Sequence, residues 1–468
     1  MSTLAALQSA FGAEQVLSGA DALPFERDWR GQFPGKALAV LRPRSVDEVQ
    51  AMLRHAHAAK LPVVPQGGNT GLVGGSTPDG TGGELVLSLR RLNRVRRIDH
   101  INLTACAEAG CVLADLQAAC FAQDLLLPLS MASEGSCTLG GNLATNAGGT
   151  QVLRWGNARD LCLGLEVVTA DGQLWSDLDG LRKDHRGLNL RDLFIGSEGT
   201  LGVITAAVMK LDALPRSRLA AWVTLPSFEA VYALFKLARQ HLGPELSGFE
   251  LMGESVQALL DTLPLPRAPW AVLLELSSHH EDAAARSQME RLLAAALIDG
   301  AMDAVLSQSE AQFKALWALR ESIPHAQTRA GGNLKHDISL PIDQVGRFIE
   351  ETQDWLSQHH PGARPMVFGH LGDGNLHYNV APQPGASLEH FRQDSGQAVS
   401  RYVFDAVRAS GGSFSAEHGI GRLRAAELAR FGDPVGLEMM RRVKLALDPE
   451  GRLNPGRVLP TSPPAAGA

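Results

Sequence analysis

The chain has 468 residues, 45% hydrophobic and 20% charged, close to an ordinary soluble globular protein and enough for about two or three domains. Its 43 Lys and Arg against 50 Asp and Glu leave a formal charge of −7, which argues against nucleic acid as a partner. No uncharged apolar run approaches the roughly 18 residues needed to span a bilayer, so no transmembrane segment is expected. The N-terminus lacks a basic start followed by an apolar block and carries Glu14 and Asp21 early, which disfavours a secretory or transit leader. Cys106, Cys111, Cys120, Cys137 and Cys162 are odd in number and form no C-x-x-C pair, so they read as reduced thiols of a cytoplasmic protein.

Residues 1–30 read as a helix and a polar entry. Residues 37–40 are strand-like, and Ser45 then caps a helix through about 59, with Glu48 completing a capping box. Strands follow at 62–65 and 84–89, with a glycine-rich stretch between them. Residues 104–127 read as a strand and then a helix from about Val112 to Gln123. A hairpin is predicted over 165–175 with Asp171-Gly172 at its turn, and a strand over 202–211. Beyond about 214 long helical patterns (227–242, 281–297, 343–359, 390–409) alternate with strands such as 271–276 and 364–370. The spacing therefore predicts domains at 1–214 and 215–420, a C-terminal segment at 421–468, and a disordered end.

Two loops stand out. The first, Pro65-Gln66-Gly67-Gly68-Asn69-Thr70-Gly71-Leu72-Val73-Gly74-Gly75, follows a strand, and its missing Cβ atoms let backbone N–H groups surround an anion. No Lys-Ser/Thr follows it, and no G-x-G-x-x-G occurs, so neither a P-loop nor a Rossmann fingerprint is present. The second, from Ser133 to Gly149, adds side-chain hydrogen-bonding groups among small residues. Such a pair suits a large ligand with a pyrophosphate and a flat polar ring.

These loops, with Gly196-Ser197-Glu198-Gly199-Thr200-Leu201-Gly202 and Leu447-Asp448-Pro449-Glu450-Gly451-Arg452-Leu453-Asn454-Pro455-Gly456-Arg457, resemble flavoproteins of the vanillyl-alcohol oxidase and p-cresol methylhydroxylase type. The resemblance spans essentially the whole chain. It implies an α+β protein: an FAD-binding PCMH-type domain of two α+β subdomains, plus a cap domain with an antiparallel sheet and flanking helices. It further implies that Pro65, Gln66, Gly67, Gly68, Asn69, Thr70, Gly71 and Leu72 hold the pyrophosphate. Gly135, Thr138, Gly140, Gly141, Ala144, Thr145 and Gly148 would line the flavin and ribityl region. Ile204 would meet the adenine side, and Asn454 would reach the flavin. Some relatives attach FAD through a histidine where Asn69 stands here, so the implied FAD is non-covalent.

The sharpest signal in the second domain is Phe368-Gly369-His370-Leu371-Gly372-Asp373-Gly374-Asn375-Leu376-His377-Tyr378-Asn379. With Asp373-Gly374 as a two-residue turn, Gly372 faces Asn375, Leu371 faces Leu376 and His370 faces His377. Asn379 falls on the same face. Two imidazoles so placed are metal ligands, and Glu417 of Ser415-Ala416-Glu417-His418-Gly419 supplies a third. Such a His₂Glu set with an open position suits a catalytic divalent ion.

These two motifs resemble the D-2-hydroxyglutarate dehydrogenases and their D-lactate and glycolate relatives. The resemblance implies a divalent metal, zinc as the first expectation, on His370, His377 and Glu417. It makes His418 the base, Asn379 a substrate contact, and Arg320 and Lys335 recognisers of carboxylates. Pro324 falls where those enzymes often place a threonine that touches the distal carboxylate, which weakens hydroxyglutarate itself more than the acid class. The expected reaction is oxidation of a small D-2-hydroxy acid, with D-2-hydroxyglutarate or D-malate first and D-lactate or glycolate as the alternative. The expected electron acceptor is an electron-transfer flavoprotein or a quinone. A homodimer is among the assemblies left open. The competing classes are a non-catalytic flavin-binding subunit and a zinc hydrolase with incidental glycine loops.

Overall fold

The computed structural model describes residues 2–260 and 264–459, so the tail from Pro460, expected as a disordered end, lies outside the described residues. The chain divides into two compact units: one holds the residues up to Ala147, Asn157–Ala213 and the chain onward from His418, and the other holds Gly148–Gly156 and Leu214–Glu417. The first break falls at the change of texture near 214. The second lies between Glu417 and His418 rather than at 420. The short excursion at 148–156 has no sequence signature. It belongs to the second unit because the helix Val152–Trp155 packs on the strand Leu246–Gly253 and Arg154 donates to the Ser277 carbonyl.

The first unit begins with β1 (Ala37–Leu41), α1 (Val46–Ala58), β2 (Val63–Gln66) and β3 (Glu84–Ser88). These strands are parallel in the order β1-β3-β2, and Val16–Leu17 adds an antiparallel edge to β1. Every residue of β3 is buried, as a central parallel strand requires. Ser45 Oγ caps α1 by accepting the Glu48 N–H at 3.2 Å. The reciprocal half of the box is displaced by one residue: Glu48 accepts the Arg44 N–H at 2.6 Å instead.

The second sheet of this unit is antiparallel. Its strands are β4 (Val95–Asp99), β5 (Thr104–Glu108), β6 (Cys162–Val168), β7 (Leu174–Asp177) and β8 (Val203–Lys210), in the order β4-β5-β8-β6-β7. Residues 113–121 form the helix expected after β5. A short helix missed in the second loop, α2 (Leu139–Ala144), lies between β5 and β6. The predicted hairpin is β6–β7, but its loop has one residue more than a two-residue turn: the Thr169 N–H donates to the Gln173 carbonyl at 2.9 Å around Ala170–Gly172. All five cysteines are free thiols, and burial pushes Cys111 and Cys120 up to about 11.

The second unit is one antiparallel sheet with helices. It runs β9 (Ser217–Leu225), α3 (Phe228–Leu242), β10 (Leu246–Gly253), β11 (Trp270–Ser278), α4 (Asp282–Ile298), β12 (Asp303–Leu306), α5 (Glu310–Arg329), β13 (Asp337–Ser339), α6 (Val345–His359), β14 (Arg364–His370), β15 (Asn375–Ala381) and α7 (Gly396–Ala409). The helix expected over 390–409 is interrupted at Ser395, where a shorter helix, Leu388–Asp394, ends. The strand order is β12-β9-β11-β10-β14-β15-β13. Trp222, Met252, Leu273, Met366 and Phe368 put one sheet face against Phe313, Leu316, Trp317 and Ile323 of α5. Alternation along the strands then places Glu250, His370, His377 and Asn379 on this same face, where the apolar cluster gives way to polar residues. No helix among the described residues is long and apolar enough to cross a membrane.

The returning C-terminal segment closes the first unit. Leu453 bridges Val63 of β2, and Arg457, 3% exposed, donates to both Glu84 oxygens (Nη2 to Oε2 at 2.8 Å) and to the Thr77 carbonyl. Removing one partner strands the other charge in the interior, at about 3–5 kcal/mol. Glu84→Ala should therefore shift the denaturant midpoint of the FAD-loaded protein sharply down. An unchanged midpoint would show that the pair adds nothing to closure.

Candidate active site

A cleft of about 890 Å³, including its solvent-open mouth, lies in the first unit, and it is lined by Pro65–Gly71, residues 137–145, residues 198–204 and His418. None of the backbone N–H groups from Gly67 to Gly71 donates to a protein acceptor among the described residues. Thr138 Oγ1 and Asn142 Nδ2 also line the cleft and are buried without a hydrogen-bond partner. Unmatched donors of this kind fit a bound anion with polar ring edges.

Glycine is required here by direct backbone packing. A Cβ on Gly68 would stand 2.2 Å from the Ser136 carbonyl oxygen, so the two loops touch main chain to main chain. Asn69 takes φ +58, a left-handed conformation that asparagine tolerates. Its amide ties the loop inward, donating to the Arg27 carbonyl at 2.7 Å and accepting from Ser76 Oγ at 3.0 Å. Gln66 anchors the loop base on the Phe25 and Ser76 carbonyls.

Four expected cofactor residues lie elsewhere. Leu72 and Gly135 are outside the lining, Gly135 being solvent-exposed, and Gly148 belongs to the second unit. Asn454 works on the protein itself, its Nδ2 donating to the Gly75 carbonyl at 2.8 Å and the Glu198 carbonyl at 2.7 Å.

Glu198 lines the cleft and was given no role by the sequence, although it sits in the Gly196–Gly202 motif. Its carboxylate accepts the Ile420 N–H at 2.7 Å and the Gly421 N–H at 2.9 Å, just beyond His418. Burial pushes its pKa up to about 7 against those hydrogen bonds.

The second unit gathers the predicted metal residues. His370, His377 and Glu417 each offer a ligand atom, all within 4.8 Å of one another. The hairpin behind this differs from the two-residue turn. The register pairs Phe368, not His370, with His377, and a 3₁₀ turn at Leu371–Asp373 leads into Gly374 at φ +83. The slip is two residues, so the side chains keep their face. The imidazoles still meet diagonally, with ring centroids 5.7 Å apart.

Carboxylates that the sequence did not flag flank both rings. On β10, Glu250 pairs in register with His370, and its Oε1 is 2.7 Å from His370 Nδ1. On β13, Asp337 pairs in register with His377, and its Oδ2 accepts the Glu417 N–H at 2.9 Å. Burial opposes charge on His370, but Glu250 and Glu417 outweigh it and raise its pKa to about 9. Burial lifts Glu417 to about 7. Glu250 stays below the usual carboxylate range despite its burial, held there by His370 and Arg320. A divalent ion fits this donor set: two imidazoles, a carboxylate and excess negative charge, with protons for the ion to displace.

The remaining predicted residues differ in their settings. Arg320 is buried, with its Nε donating to Glu250 Oε2 at 2.8 Å and its guanidinium over the Phe368 ring. Arg320 Nη2, 2.8 Å from the same oxygen, lacks hydrogen-bond alignment with it. Asn379 is buried in a network, accepting the His336 N–H at 3.2 Å and donating to Gln327 at 2.9 Å. Lys335 is exposed. Pro324 lies inside α5, exposed, and by lacking an N–H it frees the Arg320 carbonyl.

Comparison with known families identifies two regions of the chain. The model described as "FAD linked oxidases, C-terminal domain" matches residues 214–458, and the one described as "FAD binding domain" matches residues 37–177. The chain belongs to the FAD-linked oxidases. It is thus an FAD-dependent oxidoreductase of α+β architecture. Among curated relatives of this FAD-linked oxidase, the mitochondrial D-2-hydroxyglutarate dehydrogenase of Bos taurus is 39% identical over 98% of this chain and 83% of its own length. A putative mitochondrial D-lactate dehydrogenase of Schizosaccharomyces pombe is 35% identical over 95% of this chain and 86% of its own. The solved structure of p-cresol methylhydroxylase with substrate bound superposes with a TM-score of 0.73 at 15% identity, covering 98% of this chain and 96% of that one, and shares its fold.

Two expectations test the flavin cleft. Gly68→Ala should lose most bound FAD, read as the flavin-to-protein absorbance ratio, because the Ser136 backbone cannot give way. Glu198 binds its proton more tightly folded than unfolded, so it costs stability as pH rises from about 4.5 towards 7, and no more above that. At about 1.4 kcal/mol per unit this is at most roughly 3 kcal/mol. The thermal midpoint of FAD-loaded Glu198→Gln should therefore fall less than that of the wild type between pH 5 and 7.5. Parallel curves would refute the raised pKa.

Proposed function

We propose that the protein is a metal-dependent dehydrogenase of a D-2-hydroxy acid, with D-2-hydroxyglutarate or a similar dicarboxylate such as D-malate as substrate and the 2-oxo acid as product. The observation that carries this reading is the gathering of His370, His377 and Glu417 in a chain whose relatives include named 2-hydroxy-acid dehydrogenases. When bound, non-covalent FAD supplies a hydride acceptor at N5, and a divalent ion such as zinc supplies a Lewis acid that lowers the substrate hydroxyl pKa.

The chain's own residues divide the rest. His370, His377 and Glu417 would hold the ion, which would supply Lewis acidity to the substrate's hydroxy-acid end. His418 takes the hydroxyl proton while the C2 hydrogen leaves as hydride, so proton and electron pair part at C2–O and C2–H. An imidazole is a side chain suited to proton transfer near neutral pH. Arg320, ion-paired with Glu250, receives a substrate carboxylate. The electron acceptor that goes with this reading is an electron-transfer flavoprotein or a quinone.

A second reading, a D-lactate dehydrogenase, is favoured by Pro324, which offers no hydroxyl to a distal carboxylate. The S. pombe relative carries that name.

Anaerobic mixing with D- and L-forms of 2-hydroxyglutarate, malate and lactate, and with glycolate, separates the two. Bleaching of the flavin by the D-dicarboxylates is expected, and bleaching by D-lactate alone would overturn the first reading. His377→Ala should keep its FAD and lose at least about 100-fold in flavin-reduction rate, which chelation of the wild type should reproduce. Full activity in chelator would remove the metal from the reaction.

A further inference from the structure

Glu250 is a buried acid that the chemistry above leaves without a role. It stands on β10 between fully buried neighbours, Phe249 at 1% and Leu251 at 0% exposure, and is itself 1% exposed. An ionised carboxylate persists in such a place only when both oxygens are satisfied. They are: Oε1 lies 2.7 Å from His370 Nδ1, and Oε2 accepts Arg320 Nε at 2.8 Å.

The first contact decides which ring nitrogen is available. A proton shared with Glu250 occupies Nδ1, so Nε2 is the nitrogen that presents a lone pair to an ion. Nε2 is also the atom facing Glu417, 3.7 Å from its Oε1. Ligand histidines are commonly held this way by a carboxylate behind them, which fixes both ring orientation and tautomer. The second contact holds Arg320 against Oε2 through Nε, with Nη2 also 2.8 Å from that oxygen.

We propose that Glu250 is the positioning residue of the metal centre: one side chain sets His370 to ligate through Nε2 and sets the guanidinium of Arg320 beside it. This rests on the metal reading of the preceding section. A purely structural ion pair would instead support the fold without affecting the ion.

Zinc affinity of the FAD-loaded protein, measured by competition with a chromophoric chelator, separates these roles. Glu250→Gln should keep its flavin absorbance and bind zinc about 10- to 100-fold more weakly. Glu250→Asp keeps the charge but falls a methylene short of His370, so it should weaken zinc as well. This second variant carries the test if the Gln variant does not fold. Zinc affinity unchanged in a folded variant would overturn the positioning role while leaving the metal site standing. A wild type that takes up no zinc would instead overturn the metal reading, and this inference with it.

Discussion

Charge balance on one face of one sheet governs the second unit. Glu250, Asp337 and Glu417 bring three carboxylates around two imidazoles, and Arg320 supplies one fixed positive charge. Interiors tolerate such a set only when each charge is compensated. Without an ion, protons must do this, which is why His370 rises to about 9 and Glu417 to about 7. The same carboxylates that would be a burden to an empty site become the frame of a filled one.

The first unit solves a different problem, how to present main-chain donors to an anion. Its answer is close approach of two loops, which only residues without side chains permit at the contact, as at Gly68 against Ser136. Several polar side chains then act as fasteners. Gln66, Asn69 and Asn454 each bridge backbone segments distant in sequence. Glu198 belongs with them in part, since its two oxygens hold the amides that follow His418.

Much of this was legible in the sequence, for reasons that also explain what was not. Two glycine-rich loops together, and two histidines set about an Asp-Gly turn with a Glu-His motif following, pointed to both loops and to the trio. Glu250 in Phe249-Glu250-Leu251 looks like any strand residue facing water on alternate positions; only the helix α5 laid over that face makes it buried. Asp337 and Glu198 escaped for the same reason, since a single acid carries no signal until the fold supplies its partner. Asn454 fastens Gly75 and Glu198, two residues of the cleft lining, a role that the sequence did not suggest. The register of the hairpin was misread because a 3₁₀ turn at Leu371–Asp373 consumes residues that a tight turn would have left in the strands.

That misreading left the site intact, and the reason extends beyond this hairpin. Pleated chains send neighbours to opposite sides, so only the parity of a displacement matters. Lengthening the connection between Gly369 and Leu376 by a pair of residues would preserve which side each imidazole occupies. Adding a single one could turn His377 to the far side, away from its counterpart. Natural variation in this connection is therefore predicted to come in even steps, with odd ones confined to chains that have abandoned the ion.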